Sequence, residues 1–133
     1  MDMSDEIIKD ANDRMPDGRI VLCGCNAYEK KYFFNPAFEA MPDYVKEDLH
    51  IISVLFTEEA GGVFLILFEE DGTVDIETQA AEEDILYDEI TAGLLVKEIQ
   101  RNRQEMFEQL QLFYRVFILK EDITLDEAQR DKE

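Results

Sequence analysis

Residues 63–79 read VFLILFEEDGTVDIETQ, so that an apolar run, a turn and an alternating run follow one another directly. Val63–Phe68 is apolar at every position, which is typical of a central strand whose two faces are both at least partly covered. Asp71 and Gly72 suit the positive φ values of a two-residue hairpin turn. In residues 73–79, side chains that suit a core alternate with acids and Gln, which predicts a strand with one wet face. The stretch therefore predicts an antiparallel hairpin.

The residues before this hairpin predict another hairpin and a helix. Residues 19–25 are β-rich, and residues 32–34 can pair back on them before Asn35 and Pro36 break the chain. Pro42 suits the first position of a helix over residues 42–60, where apolar side chains recur at helical spacing. The β-branched and aromatic content of residues 51–56 also permits a strand there.

The residues after the central hairpin predict one long helix from residue 82 to about residue 119. Its apolar stripe begins at Ile85 and Leu86 and ends at Phe117, and Gly93 marks either a kink or a break. The predicted order is β-β-α-β-β-α. We therefore expect a two-layer α+β fold, in which a medium helix and a long C-terminal helix pack on an antiparallel four-stranded sheet.

Length and composition fit one domain with two tails. We expect a flexible acidic tail over residues 1–18, a single domain over residues 19–119 and a charged C-terminal tail over residues 120–133. The sequence around Ile7 and Ile8 is compatible with one helical turn within the first tail. The chain contains no apolar run of about 20 residues and no N-terminal signal pattern. Its two cysteines are too close in sequence for an ordinary disulfide, so we expect a cytoplasmic protein.

The charge of the chain narrows the range of partners. The formal net charge is −19, and residues 58–89 contain twelve carboxylates but neither Lys nor Arg. Such a protein repels nucleic-acid phosphates and anionic membranes, so we expect neither as a partner. It attracts cations or a basic protein instead.

Four segments of the chain read LCGCNAYEKKYFFN from residue 22, LFTEEAGG from residue 55, LYDEI from residue 86 and YRVF from residue 114. These segments resemble an uncharacterised family of small acidic proteins from clostridia and related Firmicutes, a domain of unknown function. The resemblance spans roughly residues 20–119. It implies a bacterial cytoplasmic protein and assigns no catalytic or binding residue.

Candidate ligand-binding residues are few, and we predict neither a cofactor nor a metal. Cys23 and Cys25 share one face of a strand, but two thiolates leave a tetrahedral zinc site two ligands short. His50 is the sole histidine, and no suitable nucleophile accompanies it. With Tyr87, these side chains are the weak candidates for a pocket between sheet and helices. The acids of residues 69–77 flank a tight turn that cannot wrap a calcium ion.

The basic and aromatic cluster formed by Lys30, Lys31, Tyr28, Tyr32 and Phe33 is too small a footprint for nucleic acid in so acidic a chain. We therefore expect a small non-enzymatic interaction or regulatory module. The alternative is a small-ligand-binding or enzyme accessory domain.

Apolar side chains surround the end of the predicted long helix on every side, which predicts a homodimer through residues 107–119. The interface candidates are Phe107, Leu110, Phe113, Tyr114 and Phe117.

Overall fold

A computed structural model describes residues 15–120 of the chain. The predicted α+β fold is confirmed, with four antiparallel strands in one sheet and three α-helices in the order β-β-α-β-β-α-α. The elements are β1 (Ile20–Asn26), β2 (Lys31–Phe34), a short 3₁₀ helix (Pro36–Phe38), α1 (Asp43–Ala60), β3 (Val63–Phe68), β4 (Val74–Gln79), α2 (Glu89–Asn102) and α3 (Gln104–Phe117).

The sheet has the order β2-β1-β3-β4, so the two predicted hairpins meet where β1 pairs with β3. The turn of the central hairpin is one residue longer than predicted, because the Glu69 N–H donates to the Thr73 carbonyl at 2.8 Å and encloses three residues. Gly72 takes a positive φ of 94°. One left-handed residue is what a three-residue hairpin loop requires.

The helices cover one face of the sheet. Leu49, Ile52 and Phe56 point from α1 into the core, and the Phe56 ring lies 4.7 Å from that of Phe64 on β3. Residues 43–60 are therefore helical, since the stripe that faces the sheet outweighs the strand preference of residues 51–56. Pro42 precedes the helix as its N-cap, with a ψ of 145°, rather than being its first residue.

The other face of the sheet is also buried at its centre. Val21, Val63, Leu65 and Leu67 are at most 4% exposed, and the described residues packed against them include Met15 and Phe33. The prediction that both faces of β3 are covered is thus confirmed.

The predicted long C-terminal helix is two helices. Residues 82–88 are not helical, and Ile85 and Leu86 are 92% and 89% exposed rather than part of a buried stripe. The break lies at Arg103, whose φ of −116° ends α2, while Gly93 continues α2 without interruption.

Most of the two predicted tails lies outside the described residues, including the helical turn considered around Ile7 and Ile8. Residues 15–18 form a turn in which the Met15 N–H donates to the Arg19 carbonyl at 2.7 Å. Across residues 15–120, none of the helices is both long and apolar enough to span a membrane.

Candidate functional site

The two cysteine side chains lie on the helix-facing side of β1. Cys23 is fully buried, and burial raises the pKa of its thiol to about 12. Its sulfur is therefore protonated at neutral pH and is poorly suited to act as a nucleophile or a metal ligand. Cys25 is 8% exposed, and its Sγ lies 3.3 Å from Thr57 Oγ1 on α1.

A cavity of about 490 Å³ opens between the β1–β2 hairpin and α1, and we call it the hairpin pocket. One wall is a pair of stacked rings, Tyr32 and His50, with centroids 4.2 Å apart. Burial, followed by the nearby Cys23, raises the Tyr32 pKa. The lining is Cys25, Asn26, Ala27, Lys30, Lys31, Tyr32, His50, Val54, Thr57 and Glu58. The sequence thus named Cys25 and His50 but missed Tyr32 as the contact that joins them.

The other two residues predicted for a pocket, Cys23 and Tyr87, do not line this cavity. Cys23 lies beneath it in the core, and Tyr87 is absent from its lining. The Tyr87 ring instead lies against Gly62, where a Cβ would come within 2.8 Å of Cε1.

The basic and aromatic cluster of the sequence does not form one stacking surface. Phe33 lies on the opposite face of the sheet from Tyr32, and the Tyr28 hydroxyl donates to Asp84 Oδ2 at 2.7 Å.

The acids at the central hairpin are held by local contacts. Asp71 accepts a hydrogen bond from the Thr73 N–H at 2.9 Å, and the Arg19 guanidinium lies 3.4 Å from Glu77 and 3.9 Å from Asp75. In the part of the chain that the structure describes, no group of three His, Cys, Asp or Glu residues is placed to hold a metal ion.

The chain itself buries much of the predicted dimer interface. Leu110 and Tyr114 are at most 2% exposed, and the Phe113 ring stacks on that of Phe117 at 4.3 Å. Phe107 is half-buried against the core, and Phe117 is 51% exposed. An interface at α3 would therefore use Phe117 and other exposed side chains, because Leu110 and Tyr114 are already covered.

A second apolar surface follows the solvent side of α1. Tyr44, Ile51 and Leu55 are 66%, 53% and 56% exposed and lie on one side of this helix. The sequence contains this signal as a stripe displaced by one residue from the buried stripe of Val45 and Ile52. Residues 51–56 contribute to both stripes, and their β-branched and aromatic content is what also permitted a strand there.

The exposed stripe borders a groove between α1 and the two C-terminal helices, which we call the helical groove. The first half of α1 lies beside α3 and its second half lies beside α2. The helix α1 therefore runs antiparallel to the consecutive helices α2 and α3. Three clefts of about 300, 430 and 190 Å³ lie along it. Arg103, which lies between α2 and α3, links these helices to α1, since its Nη2 donates to Asp48 Oδ1 at 3.2 Å. Its Nε lies 2.7 Å from Asp48 Oδ2 without the alignment of a hydrogen bond.

The helical groove is acidic along its edges. The charged residues that line its clefts of about 430 and 190 Å³ are Glu47, Asp48, Glu59, Glu98, Glu105 and Arg103. Because Arg103 is paired with Asp48, four carboxylates remain around an apolar centre. This pattern attracts cations that carry apolar surface.

Comparisons with known proteins assign a family but not an activity. Neither the curated proteins nor the solved structures contain a match to this chain. A family model matches residues 19–122, which include all of the strands and helices described above. The chain therefore belongs to the Family of unknown function (DUF6145).

Proposed function

We propose that this domain is a small non-enzymatic interaction module of the cytoplasm, and that its helical groove binds a basic amphipathic helix of a partner protein. The observation that carries the proposal is the exposed stripe of Tyr44, Ile51 and Leu55 beside the apolar clefts of the groove. An amphipathic helix can lay its apolar face into such a groove, using side chains spaced by three and four residues.

Apolar burial supplies the affinity in this proposal. Ile51 and Leu55 are each more than half exposed, and Leu112 and Phe117 on α3 add exposed fractions of 45% and 51%. Single exposed apolar residues are ordinary, but an aligned set that borders a groove is typical of an interaction site.

Charge selects the kind of helix. Four carboxylates, those of Glu47, Glu59, Glu98 and Glu105, flank the apolar centre and form no ion pair within residues 15–120. A helix with Lys or Arg beside its apolar face meets these acids favourably, whereas a second copy of this acidic chain does not.

The burial and contacts of Cys23, Ser53 and His50 support a binding role rather than acid–base catalysis. The Cys23 thiol is protonated, and the Ser53 hydroxyl is buried and donates to the Leu49 carbonyl at 2.7 Å. His50 stacks on Tyr32 and has no nucleophile within hydrogen-bonding distance among the described residues. Acid–base activation of a nucleophile requires such a contact.

The test uses the full chain and a synthetic helical peptide with Leu at positions i, i+3, i+4 and i+7 and Lys on both flanks. A matched peptide has the same Leu residues with Glu flanks, and a third has the Lys-flanked composition in scrambled order. We expect saturable binding of the Lys-flanked helix, with amide shifts along α1 and α3 in NMR spectra. Equal binding of the scrambled peptide would reject the groove, because charge alone would then explain it.

Matched variants locate the binding surface. We expect the pair Ile51→Ser and Leu55→Ser to weaken binding about tenfold or more, because each loses an apolar contact worth about 1 kcal/mol. Ile85→Ser is the control, since Ile85 is 92% exposed and lies outside the groove. Equal losses in the control and the groove variants would contradict the proposal.

A further inference from the structure

We propose that the hairpin pocket is a second, independent site, which binds a small organic anion bearing a flat apolar group, such as an aromatic carboxylate. The pocket lies between β2 and α1, on a part of α1 that the helical groove does not use. Its volume of about 490 Å³ accommodates a ligand with a single ring.

The charge of the lining selects an anion. Lys30, Lys31 and the imidazole of His50 face this cavity against one carboxylate, Glu58. The clefts of the helical groove and the cleft beside Asp84 have acidic linings or uncharged ones. Among these clefts of the described residues, the hairpin pocket therefore has the cationic excess, and salt screens the remaining acids of the chain beyond about 8 Å.

The side chains of Lys30 and His50 are available to a ligand. Lys30 forms no ion pair within residues 15–120, and a positive φ of 54° holds its backbone at the turn between β1 and β2. The ring nitrogens of His50 form no hydrogen bond with another described residue. Lys31 also lies 3.8 Å from Glu29, so Lys30 and His50 are the principal anchors for an anion.

The apolar part of the ligand is selected by the walls. The stacked Tyr32 and His50 rings and the Val54 side chain form one side, and Cys25 with Thr57 forms the floor. The Thr57 hydroxyl is already bonded to the backbone of α1 and to Cys25. A flat ring gains apolar contact with these surfaces, and the Thr57 hydroxyl keeps its present hydrogen-bond partners.

Three probes separate charge from shape in NMR titrations of the full chain. Benzoate has both properties, benzamide has the ring without the charge, and acetate has the charge without the ring. We expect saturable benzoate shifts at the amides of Tyr32, His50 and Thr57, with at least about fivefold weaker binding of each other probe. The proposal would be overturned if benzamide bound as tightly as benzoate, or if the amide shifts lay outside the pocket. It would also be overturned if benzoate did not saturate the shifts by about 20 mM, which is roughly the weakest affinity that such a site allows.

Charge variants then test the two lysines that line the pocket. Lys30→Gln with Lys31→Gln keeps the side-chain length and is expected to weaken benzoate binding about tenfold. Lys97→Gln on α2 is the control, because Lys97 is exposed and lies outside the pocket. A loss as large in the control would reject the site, whatever the result for the helical groove.

Discussion

At the scale of single residues, Tyr114 joins α3 to the central hairpin. Its side chain is fully buried, and its ring lies 4.7 Å from that of Phe68 on β3. A Cβ at Gly72 would approach its Cδ1 to 2.7 Å, so the turn has little room for a side chain other than hydrogen. A residue that the sequence suggested for an interface is therefore part of the core of one chain.

Truncation of Tyr114 tests this core role. We expect Tyr114→Ala to lower the free energy of unfolding by about 3–5 kcal/mol, because it leaves a cavity beside Phe68. Tyr114→Phe should cost clearly less than Tyr114→Ala, since it keeps the buried ring and removes only the hydroxyl that donates to the Glu70 carbonyl at 3.4 Å. Urea unfolding followed by circular dichroism measures both.

Tyr44→Ala provides the comparison for this truncation. Tyr44 is 66% exposed on α1, so we expect a change within about 0.5 kcal/mol. If the two Tyr→Ala variants lose similar stability, Tyr114 is not a core residue.

At the scale of elements, the sequence predicted the strands and helices whose signal comes from residues close together in the chain. The turn at Asp71 and Gly72, the apolar run of β3 and the buried stripe of α1 each lie within a few neighbouring residues. Their combination predicted the sheet and the first helix. Cys25 and His50, which line the hairpin pocket, are recognisable in the sequence as candidate residue types, whereas the Tyr32–His50 contact joins distant segments and has no local signal. Ligand binding by these residues stays a prediction.

The sequence did not predict where the C-terminal helices begin and break. Asp88 caps α2 by accepting from the Ile90 and Thr91 N–H groups at 3.0 and 3.3 Å, but six residues of helix were predicted before it. The break at Arg103 has no Gly or Pro, and its side chain pairs with Asp48, a distant residue on α1. A contact of that kind has no local signal.

Replacement of Gly93 tests the position of the break. The position is exposed and helical, and a Cβ there would meet no atom within 4 Å beyond the neighbouring residues and backbone of α2 itself. We expect Gly93→Ala to raise the free energy of unfolding by about 0.5–1 kcal/mol, because Ala restricts the unfolded chain and favours a helix. Thermal and urea unfolding measure this gain, and a destabilised variant would show that Gly93 adopts a conformation that Ala cannot.

At the scale of the whole molecule, net charge sets how the helical groove responds to salt. The chain carries a formal net charge of −19, and the groove edge contributes Glu47, Glu59, Glu98 and Glu105. A basic helix is attracted by these charges, whereas a second copy of the chain is repelled. The two possible occupants therefore differ in the sign of their salt dependence.

The homodimer remains a prediction, now with Leu112 and Phe117 as the exposed apolar residues of α3. We expect light scattering to give a mass near 15.5 kDa at about 10 mM salt, where repulsion extends about 30 Å. The mass should approach twice that value at about 500 mM salt, because screening leaves apolar contact to act at short range. Binding of the Lys-flanked helix should weaken over the same range. A dimer that dissociates as salt rises would be held by ion pairs rather than by this surface, and a constant monomer mass would make the homodimer prediction wrong.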